Sequence, residues 1–144
     1  MRQGWVVDAS VGAKLFVSEE LSDKAEELFQ DSPGIRKVFF VPDLFFVECN
    51  NIFWKHIRRF GFPVDEAQKS LKDLMELGLR PVSSTALLSD SLNLALELGI
   101  TAYDASYAVL AQDLSLPLVT ADRKLIGNLK GAGTNVCWLG DLPT

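Results

Sequence analysis

Leu116-Pro117-Leu118-Val119-Thr120-Ala121-Asp122-Arg123-Lys124-Leu125 holds the key to the fold. Leu116 to Thr120 is short and apolar and is bounded like a buried strand. Asp122 follows it at the start of a helical stretch that runs to about Leu129. Its residue type is favoured at helix N-termini. The other end of the chain repeats the device, with Trp5-Val6-Val7 forming a strand that ends in Asp8. In both places a strand hands its carboxyl end to an acidic residue.

Between these ends, strand and helix signals alternate. Ser18-Glu19-Glu20-Leu21-Ser22 opens a helix to about Gln30, with Leu21, Ala25 and Leu28 on one face, and Ser32-Pro33-Gly34 breaks it. Lys37 to Val41 reads as a second strand ended by Pro42. Asp43 begins a long helix to about Phe60, stopped by Gly61 and Pro63, and Val64 begins another that Gly78 ends. Arg80 to Ser83 is a short third strand. Ser84 or Thr85 caps a helix through Leu98, which Gly99 ends. Tyr103 to Leu114 is helical, with Ala105, Ala108 and Ala111 as a small-residue stripe, and Asn135 to Leu139 is the last strand. This order predicts an α/β domain with a mostly parallel central sheet of four to five strands flanked by helices. Residues 1–144 are expected to form a single domain, since 144 residues suffice for one self-sufficient core.

Two further acids sit inside apolar helical sequence. Glu48 lies in Phe45-Phe46-Val47-Glu48-Cys49-Asn50-Asn51, and Asp104 in Ala102-Tyr103-Asp104-Ala105-Ser106-Tyr107-Ala108. In parallel sheets, ligands bind beyond the carboxyl ends of the strands. Asp8 and Asp122 fall there directly. Glu48 falls in the second turn of the helix after strand two, and Asp104 in the first turn of a helix reached after strand three. All four can therefore face one edge of the sheet. Burying an unpaired carboxylate is costly, and few basic residues lie beside these four, so a shared cation is the natural partner. All-oxygen donors suit Mg²⁺ or Mn²⁺ and argue against zinc.

The long helix separates into two faces at about 100° per residue. Leu44, Glu48, Asn51, Lys55 and Arg59 form one stripe, opposite Phe45, Cys49, Ile52, Phe53, Ile57 and Phe60. The polar stripe could hold a metal with Glu48 and Asn51 and guide phosphate with Lys55 and Arg59. It could equally be a solvated face on which Glu48 pairs with Lys55 or Arg59. Asp8 and Asp122 could also serve as helix caps. Asp104 could simply meet its helix dipole.

The remaining features set limits. Net charge is −5, against broad non-specific nucleic-acid binding but compatible with an acidic metal site. The one histidine, His56, excludes a His-rich zinc site and reads as structural or interfacial. Cys49 and Cys137 are far apart and read as buried free thiols, consistent with a cytoplasmic location. No apolar run is long enough for a membrane span, and a strand beginning near Met1 is expected to leave no room for a secretory leader. Trp54 falls off the apolar arc of its helix and either covers the core or lines a groove for a partner helix.

Four segments together resemble the PIN-domain family, and within it the small VapC-type toxins of toxin–antitoxin pairs. They are Val6-Val7-Asp8-Ala9-Ser10, Glu48-Cys49-Asn50-Asn51, Tyr103-Asp104-Ala105-Ser106-Tyr107-Ala108-Val109-Leu110-Ala111 and Leu118-Val119-Thr120-Ala121-Asp122-Arg123-Lys124-Leu125. The resemblance spans essentially the whole chain and implies a PIN-like three-layer sandwich. It implies that Asp8, Glu48, Asp104 and Asp122 are catalytic metal-binding acids, with Ser10, Asn51 and Thr120 as supporting groups that orient those acids or water. It further implies a Mg²⁺- or Mn²⁺-dependent endoribonuclease cutting single-stranded or structured RNA, homodimerisation, and inhibition by a small antitoxin. Many relatives carry another acid just after the Asp122 position. Arg123, Lys124 and Leu125 follow here, which leaves the number of metal ions open. The alternative within the fold is a catalytically inactive PIN-like domain acting by protein or RNA binding. An aspartyl-phosphate phosphatase would need a second Asp where Ser10 stands, and the acid pair and Lys of a receiver domain are not evident.

Overall fold

The computed structural model describes Met1–Pro143. Five strands form one sheet in the order β3-β2-β1-β4-β5, and every neighbouring pair is parallel. They are β1 (Arg2–Val7), β2 (Arg36–Pro42), β3 (Arg80–Val82), β4 (Leu118–Thr120) and β5 (Val136–Trp138). Seven α-helices flank them: α1 (Ala9–Gly12), α2 (Ser22–Phe29), α3 (Leu44–Phe60), α4 (Val64–Met75), α5 (Leu88–Leu98), α6 (Ala102–Leu114) and α7 (Arg123–Leu129). No helix is long and apolar enough to cross a membrane among the described residues.

The middle of the molecule is built from sequence that is apolar on all sides. β1 is the central strand, with Trp5 in register with Phe39 of β2 and Val7 with Val119 of β4. Val6, Val7, Leu118 and Val119 are wholly buried, as expected of parallel strands covered on both faces. Helix α6 buries seven consecutive residues, Ala105 to Ala111. Its alanines allow close approach, and the Ser106 hydroxyl donates to the Ala102 carbonyl and pairs with the Ser91 hydroxyl of α5.

The chain runs outward from β1 through β2 to β3, then returns to place β4 and β5 on the other side. The reversal falls between β1 and β4, the point at which open α/β sheets leave a crevice beyond their strand ends. Asp8 leaves β1 and Asp122 follows β4, one on either side of it.

Four local features depart from the expected boundaries. Strand β1 starts at Arg2 rather than Trp5, because Arg2 and Gln3 pair with Arg36 and Lys37 through the backbone while staying exposed. Ser18 to Leu21 is not helical: Leu21 adopts φ 68°, and the Ser22 hydroxyl accepts from Glu19 N–H and donates to the Val17 carbonyl, closing a turn before α2. Thr85 does not cap the helix that follows β3, and neither does Ser84. Its hydroxyl accepts from Leu44 N–H and its N–H donates to Asp43 Oδ1, tying the end of β3 to the start of α3 while a 3-10 turn (Ser84–Leu87) precedes α5. Short α1 is the helix that Asp8 caps; it begins directly after it at Ala9 and lasts only four residues, too few for helical periodicity to register. Cys49 and Cys137 are both free thiols; Cys49 is buried, but Cys137 is only half-buried because β5 is an edge strand.

Candidate active site

Asp8 is 6 % exposed. It sits at the N-terminus of α1, where Oδ1 accepts the Ser10 N–H at 2.9 Å and a short hydrogen bond from the Ser10 hydroxyl. That hydroxyl also accepts the Ala121 N–H at 3.0 Å, so Ser10 links the end of β1 to the loop after β4. Burial pushes the Asp8 carboxyl up to about 6, against the lowering effect of hydrogen bonds from Ser10 and Thr120, and the charge of Asp104 adds to the rise. Thr120 is fully buried, and its hydroxyl oxygen accepts the Asp122 N–H at 3.0 Å. One small hydroxyl thus serves both the β1 acid and the β4 acid.

Asp122 caps α7, with Oδ1 accepting from Lys124 N–H at 2.9 Å and Leu125 N–H at 3.3 Å. The capping role and a metal-binding role are therefore compatible, because each of these two caps is made through Oδ1. Asp104 stands in the first turn of α6, where Thr101 caps the helix by accepting the Asp104 N–H. Burial raises its carboxyl pKa, and the charge of Asp122 raises it further.

Glu48 is half-buried on α3. Its partner is Tyr107 of α6, whose hydroxyl donates to Oε1 at 2.7 Å. Neither Lys55 nor Arg59 forms an ion pair with it; among the described residues Lys14 pairs with Glu19, and His56 Nε2 lies 3.5 Å from the other Glu19 oxygen. Burial raises the Glu48 carboxyl, opposed by the Tyr107 hydrogen bond and reinforced by the charges of Asp8 and Asp104. Tyr107 is 1 % exposed, and burial beside this carboxylate pushes its hydroxyl well above the usual range, keeping it a donor. Sequence reasoning overlooked Tyr107 as a site residue. Its position one helical turn after Asp104, on the same face of α6, was the available signal.

The charge of Asp104 thus raises Asp8, those of Asp8 and Asp104 raise Glu48, that of Asp122 raises Asp104, and no basic side chain offsets any of the rises. Asn51, Lys55 and Arg59 are exposed along the stripe of α3 that carries Glu48. Lys55 and Arg59 lie about 10 Å and 16 Å farther along the axis at 1.5 Å per residue. His56 packs against Phe60, with Nε2 3.5 Å from Glu19 Oε2.

The residues can be tested for fit to a divalent cation. No three His, Cys, Asp or Glu side chains among the described residues are close enough to hold an ion together. The four acids offer oxygen donors alone, not the Cys and His set usual for a structural zinc cage. Mg²⁺ retains several waters and takes only one or two carboxylates directly. A group of oxygen donors bearing uncompensated negative charge fits that requirement, and Mn²⁺ shares the ligand preference.

A family model described as PIN domain matches residues 5–128. The chain belongs to the PIN-domain family. Two relatives from Pyrobaculum aerophilum are similar to it. Ribonuclease VapC3 is 39% identical over 122 residues, covering 83% of this chain and 90% of the relative. Exonuclease VapC9 is 39% identical over 85 residues, covering 59% and 62%. Among solved structures, PAE2754 from Pyrobaculum aerophilum aligns with a TM-score of 0.64 and 30% identity over 94% of this chain and 92% of that one. A toxin–antitoxin complex from Klebsiella pneumoniae aligns at 0.62 and 16% identity over 92% and 94%, a likeness of fold alone. The five-stranded parallel sheet between helices is the PIN-like α/β architecture.

Proposed function

We propose that this PIN-domain chain, as a single unit over residues 1–144, is a metal-dependent endoribonuclease that hydrolyses single-stranded or structured RNA as the toxin of a toxin–antitoxin pair. The observation that carries the reading is the convergence of Asp8, Glu48, Asp104 and Asp122 at the β1/β4 crevice, three of them with carboxyls raised by burial and by each other's charge. The similarity to a ribonuclease over most of both chains supports it.

Asp8, Asp104 and Asp122 would hold Mg²⁺ or Mn²⁺, one or two of them directly and the rest through the ion's bound waters, with Glu48 joining them or positioning the attacking water. The ion supplies positive charge to the phosphoryl oxygens and lowers the cost of generating hydroxide from water. Ser10 and Thr120 fix the direction of Asp8 and the backbone before Asp122. Tyr107 holds Glu48 through one oxygen, leaving the other to accept a proton or orient water. Lys55 and Arg59 remain candidate contacts to flanking phosphates, and Asn51 a candidate support for Glu48. Asp104→Asn removes one negative donor at a half-buried position, so it should abolish Mg²⁺- or Mn²⁺-dependent cleavage of a labelled RNA panel while circular dichroism stays native. Full activity in this variant would refute the mechanism.

Two apolar surfaces support the proposed partners, a small antitoxin and a second copy of the chain. Trp54 is 56% exposed at a groove between α3 and α4 that Val64 and Leu71 also line. This groove would take an amphipathic antitoxin segment. Leu88, Leu92 and Leu96 form an exposed stripe on α5, with Tyr103 also exposed nearby on α6. Such a stripe suits a homodimer contact. Sedimentation as a monomer at micromolar concentration would remove the dimer. The reading carries with it a cytoplasmic site of action, where RNA targets are found.

A second reading is favoured by one observation, the absence of a tight three-ligand set among the described residues. It makes the chain a catalytically inactive PIN-like binding domain. RNA left intact by the native protein in Mn²⁺ would select it.

A further inference from the structure

Trp138 ends β5 as the register partner of Thr120. Its indole therefore belongs to the same carboxyl edge of the sheet as the acids, one strand away. The Arg123 guanidinium carbon lies 3.7 Å from the ring centroid, a close stack. On Gly140, a Cβ would come within 2.4 Å of ring atoms Cη2 and Cζ3, so only bare backbone fits against the indole there. Trp138 Nε1 is buried without a hydrogen-bond partner. The ring is fixed in place, and Arg123, exposed and free of any ion pair among the described residues, is laid flat on it.

These two residues line two clefts at once. The smaller, about 340 Å³, also contains Asp122, Lys14 and Lys124. The larger, about 540 Å³, opens beside it between α7 and β5, with Lys130, Asn135 and Asp141 in its lining. A strand with its scissile phosphate at the acids reaches the larger cleft by crossing the Arg123–Trp138 stack. A guanidinium plane already ordered by an indole is a ready platform for a base, because nucleobases stack on Arg planes and aromatic rings alike. Lys130 supplies a charge for phosphate, while the Asn135 amide and the Asp141 carboxylate offer a base edge both donors and acceptors.

We propose that the larger cleft is a subsite for one nucleotide of single-stranded RNA flanking the cleavage point, with its base stacked on Arg123 above Trp138. The inference rests on the nuclease reading and names where that substrate would be gripped. It makes Arg123 a binding residue, with Trp138 and Gly140 positioning it.

The test is an abasic scan. Short mixed-sequence RNAs, each lacking one base, are bound to the native protein in Ca²⁺ by fluorescence anisotropy. Ca²⁺ is a hard cation with the same oxygen preference, and the intact RNA is first checked to stay uncut in it. Native-protein cleavage of the intact RNA in Mn²⁺ is measured in parallel. One position should weaken binding about 10-fold, and adding Arg123→Ala should reduce that penalty to less than about 2-fold, the signature of two changes removing one contact. Arg123→Lys should bind RNA nearly as poorly as Arg123→Ala, because an ammonium keeps the charge but loses the plane. A flat scan, or Arg123→Lys binding like the parent, would overturn the subsite while cleavage by the native protein leaves the nuclease reading standing. Native protein that neither binds nor cuts RNA would overturn both.

Discussion

A carboxylate placed where Asp8 stands is costly to the fold, and that cost has a sign. Its pKa of about 6 lies above the value near 3.9 typical of an unfolded chain, so the native state holds its proton more tightly. Native stability from this group is complete below about pH 4 and is lost as pH rises through about 6. In metal-free buffer, Asp8→Asn should therefore raise the unfolding free energy by about 2–3 kcal/mol near pH 7.5 and by far less near pH 4. Urea unfolding at the two pH values checks this, and an equal effect at both would show that burial is not the cause. The stabilised variant should also be inactive, as expected where a site is built at the expense of stability. Tyr107 makes a second residue-level case. Tyr107→Phe keeps the ring in the core but removes the 2.7 Å bond to Glu48. It should lower kcat about 10-fold or more through misorientation of Glu48, with KM for RNA little changed. An unchanged kcat would reduce Tyr107 to a packing residue.

Elements bring these residues together, and one contact between elements is unusually tight. A Cβ on Gly12 would come within 2.4 Å of Phe45 Cζ, so α1 meets α3 through bare backbone at that point. This approach sets Asp8, ahead of α1, relative to Glu48 on α3. Gly12→Ala should destabilise the fold by about 1–3 kcal/mol through overpacking, read as a lower urea midpoint; an unchanged midpoint would mean that Phe45 moves aside freely. The elements also show what could be read from the chain beforehand. Long α3 and α6 were legible because their apolar pattern and stop signals, Gly61 for α3 among them, act locally. The placement of the four acids near one sheet edge was legible because it follows from strand ends and helix first turns. Less legible were features set by distant partners: Ser84 serving α3, and Leu21 left-handed before α2. The Tyr107–Glu48 bond spans 59 residues, beyond any periodicity.

For the whole molecule, the topology and the charge act together. Reversal of strand order beside β1 leaves one crevice, flanked by buried Asp8 and exposed Asp122, while the chain carries a net charge of −5 overall. Such a molecule is poorly suited to gripping RNA by bulk attraction. Under the proposed function its affinity would have to be local, coming from a cation among the acids and from exposed cations such as Arg123 and Lys124 beside Asp122. The proposed chemistry requires a divalent ion in that crevice. The most direct measurement is an anomalous difference map from crystals soaked in Mn²⁺. A peak bonded to carboxylate oxygens of Asp8, Asp104 or Asp122, lost in Asp104→Asn crystals, is the predicted result. A crevice without a peak, under conditions where the native protein still cuts RNA, would contradict it.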